Sequence, residues 1–161
     1  MLEERGRARR GYFVSGLGAA QFALPGAVDR LRSEREPEPH DPVLVLAATD
    51  PAQPYGSTLS WPAADSAERG RAARTTSAVV VSAGGVPLVW FERSSHHLVT
   101  FPAAAADARW AAALADLVRH GAERSVEVRK VDGEPVSGEI ADVLRTAGFV
   151  DGYRGLVLRA A

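Results

Sequence analysis

The apolar segment in the middle of the chain constrains the fold more than any other feature. Residues 75–82 form a β-branched run, which is followed by Gly84-Gly85 and by a second apolar run at residues 87–92. Two glycines between such runs indicate a β-hairpin, because glycine adopts the positive φ angles of tight hairpin turns without strain. Residues 98–101 add a third short strand. We therefore predict an antiparallel meander here.

Further strands and helices flank this meander. An apolar stripe at i, i+4, i+7 and i+8 predicts a helix that begins near Asp107 and ends at Gly121. Its members are Trp110, Leu114, Leu117 and Val118. A second short helix is predicted over residues 140–147, and the apolar run 43–48 predicts a strand buried on both faces. The pattern favours an α+β fold, a small antiparallel β-barrel-like sheet with two or three short helices.

The amino end carries a basic cluster that leads into a hairpin pattern. Four arginines fall within six residues with no acidic residue between them, namely Arg5, Arg7, Arg9 and Arg10. Residues 12–14, a turn-rich stretch and residues 21–24 predict the hairpin, and a short helix follows Pro25. Alternate arginines on such a hairpin can neutralise phosphates, with Tyr12 packing on a sugar or base. The alternative is a charged strand edge that prevents edge-to-edge pairing.

Composition excludes several classes of function. The 161 residues carry 19 basic and 20 acidic side chains, so a nucleic-acid contact must be local. Without cysteine there is no disulfide framework, and without a long apolar run or signal peptide we expect a cytoplasmic protein that does not enter a membrane. The only lysine, Lys130, does not follow a glycine-rich loop, which excludes a motor ATPase. We expect no cofactor.

Few residues suggest catalysis or metal binding. Asp50 follows the apolar run 43–48 and is the best-placed carboxylate for a general base, although Asp before proline is also a common turn starter. His96 and His97 are adjacent, and on an extended segment their side chains point to opposite faces. They cannot chelate one metal ion together, and we expect both to be exposed in a loop.

The stretch from Arg9 to Arg32, RRGYFVSGLGAAQFALPGAVDRLR, closely resembles the C-terminal region of the large helicase-related (Lhr) family of bacterial ATP-dependent DNA helicases. The resemblance continues through LAATDPAQPYG at residues 46–56, VDGEPV at residues 131–136, and shorter matches up to residue 156. It implies the end of a series of winged-helix modules, followed by a small β-barrel module. Residues 1–36 are then the wing hairpin and helix of a winged-helix module that is truncated here, and residues 37–161 are the C-terminal domain.

The resemblance implies a DNA-binding accessory region of a DNA-repair helicase, whose ATP and Mg²⁺ are bound by motor domains outside these residues. We expect this chain alone not to be an enzyme. Its expected partners are DNA, through single-stranded or backbone-only contacts, and the rest of the helicase polypeptide. The start at Met1 leads us to expect a truncated reading frame or a split gene product. Two alternatives stay open: a uracil-type DNA glycosylase module, with Asp50 assisting removal of an extruded base, and a module for homo-oligomerisation.

Overall fold

The computed structural model describes residues 8–15, 18–33, 41–62 and 71–160. The chain divides into two compact units, residues 1–40 and residues 41–161. The predicted domain boundary between residues 36 and 37 lies outside the described residues. No helix within the described ranges is long and apolar enough to cross a membrane.

The first unit contains a short hairpin and one helix. Strands β1 (Arg9–Gly11) and β2 (Gln21–Ala23) pair antiparallel, and helix α1 spans Ala27–Ser33. The predicted hairpin and helix are therefore present, but the first strand precedes the predicted residues 12–14. Gly26, with φ +82°, stands between β2 and α1, and its carbonyl accepts the first α-helical hydrogen bond, from the Arg30 N–H at 3.0 Å.

The second unit is built on two sheets with three helical segments. The strands are β3 (Val43–Ala47), β4 (Ala78–Ala83), β5 (Val86–Glu92), β6 (His97–Thr100), β7 (Ser125–Val128), β8 (Lys130–Val131), β9 (Glu134–Pro135), β10 (Val150–Asp151) and β11 (Leu156–Arg159). The helical segments are a 3₁₀ helix (Pro102–Ala105), α2 (Arg109–Arg119) and α3 (Gly138–Thr146). The six-stranded sheet has the order β3-β4-β5-β6-β8-β9, and the three-stranded sheet has the order β10-β11-β7.

Two tight turns connect neighbouring strands, and the first is the predicted Gly84-Gly85 turn. Gly84 and Gly85 have φ angles of +54° and +78°, and they connect β4 to β5. Asp132 and Gly133, at +50° and +89°, connect β8 to β9. Both turns use the left-handed backbone that hairpins with two-residue loops require.

At β4 the six-stranded sheet is buried on both faces, because the side chains of this strand alternate between two apolar clusters. Val79 and Val81 face a large cluster that includes the apolar side of α2, whereas Ala78 and Val80 face a smaller cluster around Trp90. The α2 side chains in the large cluster are Trp110, Ala111, Leu114, Ala115 and Val118. This double burial explains why the four buried residues 78–81 of β4 are all apolar.

Three predictions about the sheet are corrected. Among the described residues no sheet closes into a barrel, and the six-stranded sheet is open, with β3 at one edge and β9 at the other. β6 and β8 pair in parallel, because the chain between them crosses over through α2 and β7. β3 is not buried on both faces, since Leu44 on this edge strand is 51% exposed.

Candidate nucleic-acid interface

The hairpin of β1 and β2 has two different faces. Arg10 pairs with Phe22, and Arg9 pairs with Ala23. Directly opposite residues share a face of a hairpin, and successive residues alternate. Ala23 is buried, so the face of the hairpin that carries Ala23 is the inner one. The opposite face, which carries Arg10 and Phe22, is exposed to solvent.

The solvent-facing side of the hairpin carries one guanidinium among large apolar groups. We call this surface the outer face, and it consists of Arg10, Tyr12, Phe22 and Leu24. Tyr12 is 79% exposed, Phe22 62% and Leu24 63%. An exposed arginine between two aromatic rings combines a cation for phosphate with flat surfaces for a sugar or base.

Strand alternation separates the arginines that the sequence placed together. Arg9 is also exposed but belongs to the side of Ala23, opposite to Arg10. Arg5 and Arg7 lie outside the described residues. Neither Arg9 nor Arg10 forms an ion pair with a carboxylate in the described part of the chain, so both charges are available there to an anion.

Gln21, which the sequence analysis did not single out, positions the outer face. Its Oε1 accepts hydrogen bonds from the backbone N–H groups of Phe13 and Val14, both at 2.8 Å, and its Nε2 donates to the carbonyl of Val14 at 2.9 Å. Phe13 also folds back over Gly11, where a Cβ atom would lie 2.9 Å from the ring. These contacts hold the segment that carries Tyr12 after the regular pairing of β1 ends.

Asp50 lies in a turn after β3. Its Oδ1 accepts a hydrogen bond from the backbone N–H of Ala52 at 2.8 Å, and its own N–H donates to the carbonyl of Ala47 at 2.9 Å. The carboxylate is half-buried and is engaged as an Asx turn. This geometry matches the turn-starter alternative.

Arg74 and Gln53 hold the loop around Asp50. The Arg74 guanidinium donates to the carbonyls of Gln53 at 2.7 Å, Thr49 at 3.0 Å and Asp50 at 3.3 Å. Gln53 is buried, and its side chain bonds to the carbonyl of Ala48 and to both backbone groups of Tyr55. All of these groups bond to the protein's own backbone, so they organise the loop.

The aromatic residues of the second unit serve packing. Trp61 is stacked between Tyr55 and Phe101, with ring centroids 5.9 and 5.8 Å away, so neither face of the indole is free to receive a base. Trp90, Phe91 and Trp110 are buried. Within the second unit, the most exposed aromatic side chain among the described residues is Tyr153, at 96%.

The two adjacent histidines are half-buried, which corrects the expectation that they are exposed. His96 has a φ of +56°, and its Nδ1 lies 3.2 Å from the carbonyl of Glu127. His97 packs edge-on against Trp90, and its Nε2 accepts the Gly133 N–H at 3.0 Å. No group of three metal-binding side chains occurs in residues 8–15, 18–33, 41–62 and 71–160.

A cleft of about 220 Å³ lies beside His96, but its charges are compensated. Arg93 pairs with Glu123 at 2.5 Å, and Arg129 pairs with Glu127 at 2.7 Å. The hydrogen bond from Arg129 lowers the pKa of Glu127, although partial burial opposes the shift. Because the lining carboxylates Glu123 and Glu127 offset two lining arginines, Arg93 and Arg159, this cleft offers less to a phosphate than the outer face of the hairpin.

Comparison with known proteins identifies the family. Residues 1–43, which include the hairpin and α1, match the family model for a winged-helix domain of the large helicase-related protein. The chain is also 44% identical, over 175 aligned positions, to a Mycolicibacterium smegmatis protein named "Lhr helicase/ probable uracil glycosylase"; the alignment covers 98% of this chain. The chain is a C-terminal region of an Lhr-family protein.

A second relative supports the same family assignment. The Escherichia coli protein named "Lhr helicase/uracil glycosylase" is 35% identical over 103 residues, 62% of this chain. This Lhr region spans 11% of the length of the first relative, and the match to the second spans 7% of that protein. The activities in those names belong to proteins many times longer than the aligned part.

The family match places the hairpin within a winged-helix domain, as the resemblance of residues 9–32 implied. For this Lhr region, the structure brings Arg10 and Tyr12 together on the outer face and leaves Arg9 on the other side. It puts Asp50 in the other unit of the chain. The aromatic partner Phe22 and the positioning residue Gln21 were missed, because recognising them requires the strand register.

Proposed function

We propose that this Lhr region is a DNA-binding accessory part of a helicase that acts in DNA repair, and that its hairpin contacts the DNA backbone without reading sequence. The chain itself is not an enzyme in this proposal. ATP and Mg²⁺ are used by motor domains in the rest of the helicase polypeptide, which is the second partner. The outer face of the hairpin is the contact surface.

The observation that carries this proposal is the exposed Arg10, which shares the outer face with the exposed rings of Tyr12 and Phe22. A guanidinium without a carboxylate partner among the described residues can bind a phosphate through two parallel N–H donors. The two rings can then pack on neighbouring sugars or bases. Phosphate contacts of this kind position a protein on DNA but carry no sequence information.

The charge of the whole chain limits the expected affinity. A formal net charge of -1 provides no long-range attraction to DNA, so binding depends on the few local cations. Each phosphate neutralised adds a slope of about -0.7 for single strands, or -0.9 for duplex, in log K against log salt. With Arg10 as the described cation of the outer face, the slope from this surface is shallow.

A titration of the whole chain against a fluorescently labelled 20-mer, followed by anisotropy at several salt concentrations, tests the proposal. We expect R10A to weaken binding and to reduce the salt slope by about one. R124A is the matched control, because Arg124 is an exposed arginine of the second unit whose side chain has no partner in the described residues. Unchanged affinity and salt slope in R9A/R10A overturn the proposal.

Base excision is a second candidate. It is favoured by the names of the two relatives, which contain 'probable uracil glycosylase' and 'uracil glycosylase'. In that reading a carboxylate such as Asp50 assists departure of an extruded base. Its Asx turn leaves Oδ2 without a hydrogen bond in the described structure. Alkali-labile breaks in uracil-containing single-stranded DNA, absent with D50N, support this candidate, and intact DNA at high protein concentration removes it for this chain.

Self-association is the remaining alternative, because the exposed Phe22 and Leu24 also suit a second copy of the chain. Light scattering separates this role from DNA binding. A strict monomer that binds DNA supports the accessory role. A dimer that dissociates in F22A and binds DNA only weakly supports the assembly role.

A further inference from the structure

A second exposed aromatic and arginine pair occurs in the other unit of the chain. β10 and β11 are joined by the four residues Gly152, Tyr153, Arg154 and Gly155, which we call the tip. Tyr153 is 96% exposed, and the Arg154 guanidinium carbon lies 5.9 Å from the centre of its ring. We propose that the tip binds single-stranded nucleic acid, with an unpaired base stacked on Tyr153 and a neighbouring phosphate on Arg154.

The backbone of the tip is held in place by the three-stranded sheet. The N–H of Gly152 donates to the carbonyl of Gly155 at 2.7 Å and closes the turn. Gly155 lies directly against the end of β7, where an added Cβ atom would be 2.2 Å from the carbonyl oxygen of Val128. The exposed ring is therefore carried by a constrained turn, so little ordering entropy is lost when a ligand binds.

The charge around the tip favours an anion. The nearest acidic residue in sequence, Asp151, is paired with Arg145 at 2.8 Å, and Arg145 also pairs with Asp142 at 2.9 Å. Arg154 has no hydrogen bond or ion pair in the described ranges, and its contact is with the Tyr153 ring. The tip thus presents an uncompensated cation beside an exposed ring.

The chemistry fits a single strand better than a protein partner. A protein-docking site needs contiguous apolar surface, but among the described residues within ten positions of the tip only Val150, 63% exposed, is another large exposed apolar side chain. One ring and one guanidinium match one base and one phosphate. The base must be free of its own stack to lie on the tyrosine, which selects unpaired strands over duplex.

The tip belongs to the second unit, so this inference does not depend on the hairpin of the first unit. The test uses the whole chain with labelled 20-mers of oligodeoxythymidylate and oligouridylate and a matched DNA duplex. We expect Y153A to weaken single-strand binding between about 5-fold and 100-fold, the range for loss of one stacked base. Y153F keeps the ring and is expected to bind within about twofold of the wild type.

Further variants separate the two contacts at the tip. R154A is expected to weaken binding and to reduce the salt slope by about 0.7, one single-strand phosphate. V150A is the matched control for a general apolar contact and is expected to leave binding unchanged. If Y153A and R154A weaken binding to only one of the two single strands, that strand is the preferred ligand of the tip, and loss on both shows that either is accepted.

Two results overturn the inference. The first is that the Y153A variant binds both single strands within twofold of the wild type, while its circular dichroism and thermal midpoint show that it keeps the native fold. The second is a loss of binding in V150A as large as in Y153A, which indicates a general apolar surface, or an equal loss in Y153F, which shows that the hydroxyl and not the stacked ring makes the contact. Ultraviolet crosslinking of 5-iodouracil to Tyr153, identified by mass spectrometry, gives a readout that does not depend on affinity.

Discussion

Gln21 and Val14 are joined by two reciprocal hydrogen bonds across the hairpin of the first unit. The Val14 N–H donates to Gln21 Oε1 at 2.8 Å, and Gln21 Nε2 donates to the Val14 carbonyl at 2.9 Å. The paired strands end at Gly11 and begin again at Gln21, so one side-chain amide takes over where the backbone ladder stops. It thereby sets where Tyr12 stands on the outer face.

We expect Gln21→Ala to loosen this part of the hairpin. The N–H groups of Phe13 and Val14 lose their acceptor, which costs about 1 kcal/mol for hydrogen bonds at such an exposed site. Amide hydrogen exchange measured by NMR should show both amides exchanging faster, while those of α2 stay unchanged. Gln21→Glu keeps the acceptor and should preserve their protection; equal exchange in the wild type and Q21A contradicts the role.

Glu92 is a buried carboxylate that hydroxyl groups solvate. The Thr75 hydroxyl donates to its Oε2 at 2.7 Å, and the Ser94 hydroxyl donates to its Oε1 at 3.1 Å. Burial raises its pKa, but hydrogen bonds from Ser77, Thr75 and Ser94 together outweigh that effect, so the pKa of Glu92 is lowered.

This lowered pKa predicts a specific loss of stability in acid. A carboxyl group whose pKa is lower in the folded state stabilises the fold above its unfolded pKa of about 4.5, and the contribution is lost as the pH falls through the folded pKa. We expect Glu92→Gln to cost about 1–3 kcal/mol at pH 7 and less in strong acid. Urea unfolding at pH 7 and pH 3 measures this; a difference that stays constant with pH shows that the charge of Glu92 is not involved.

His97 gives the fold a second dependence on pH, in a higher range. Burial against Trp90 lowers its pKa, the charge of Asp132 raises it and that of Lys130 lowers it, with a net lowering from 6.5. Its Nε2 accepts the Gly133 N–H, a bond that only the neutral ring can make. The unfolded chain therefore takes up a proton first, and the contribution of His97 is lost as the pH falls from about 6.5 through the folded pKa.

We expect His97→Gln to remove this pH dependence, because glutamine can accept a hydrogen bond but does not titrate. The urea midpoint of the wild type should fall more between pH 7 and pH 5 than that of H97Q. His120→Gln is the matched control, because His120 is exposed at the end of α2. If the urea midpoint of H97Q falls as much as that of the wild type, the titrating group is not His97.

Gly155 has no room for a side chain. A Cβ atom there would lie 2.2 Å from the Val128 carbonyl oxygen and 2.8 Å from the Arg129 Cα, both of them backbone atoms that cannot rotate away. Gly155→Ala should therefore destabilise the second unit by about 1–3 kcal/mol, as overpacking does. Gly18→Ala is the control, since a Cβ at Gly18 meets nothing within 4 Å. Thermal unfolding measures both, and an equal midpoint in the two variants contradicts the close contact.

Local elements were predictable where the signal lies in neighbouring residues. The Gly84-Gly85 turn and the apolar stripe of α2 appear as expected, because turn dihedrals and helical faces depend on short-range sterics and periodicity. The edge position of β3 and the parallel pairing of β6 with β8 were not predictable in this way. Both depend on which distant strands meet, and no local pattern in β3 or β8 encodes that choice.

The same distinction between local and long-range information applies to the candidate sites. Local sequence was enough to predict that Arg9, Arg10 and Tyr12 stand in or beside a hairpin, since the turn residues and strand formers lie within a few positions of them. The three-dimensional fold puts Arg10 with Phe22 on the solvent side and Arg9 on the other side, and it makes Tyr153 project from a tip packed against β7. The reason is physical: chain chemistry specifies which groups exist, whereas register and burial select the face on which each one is presented.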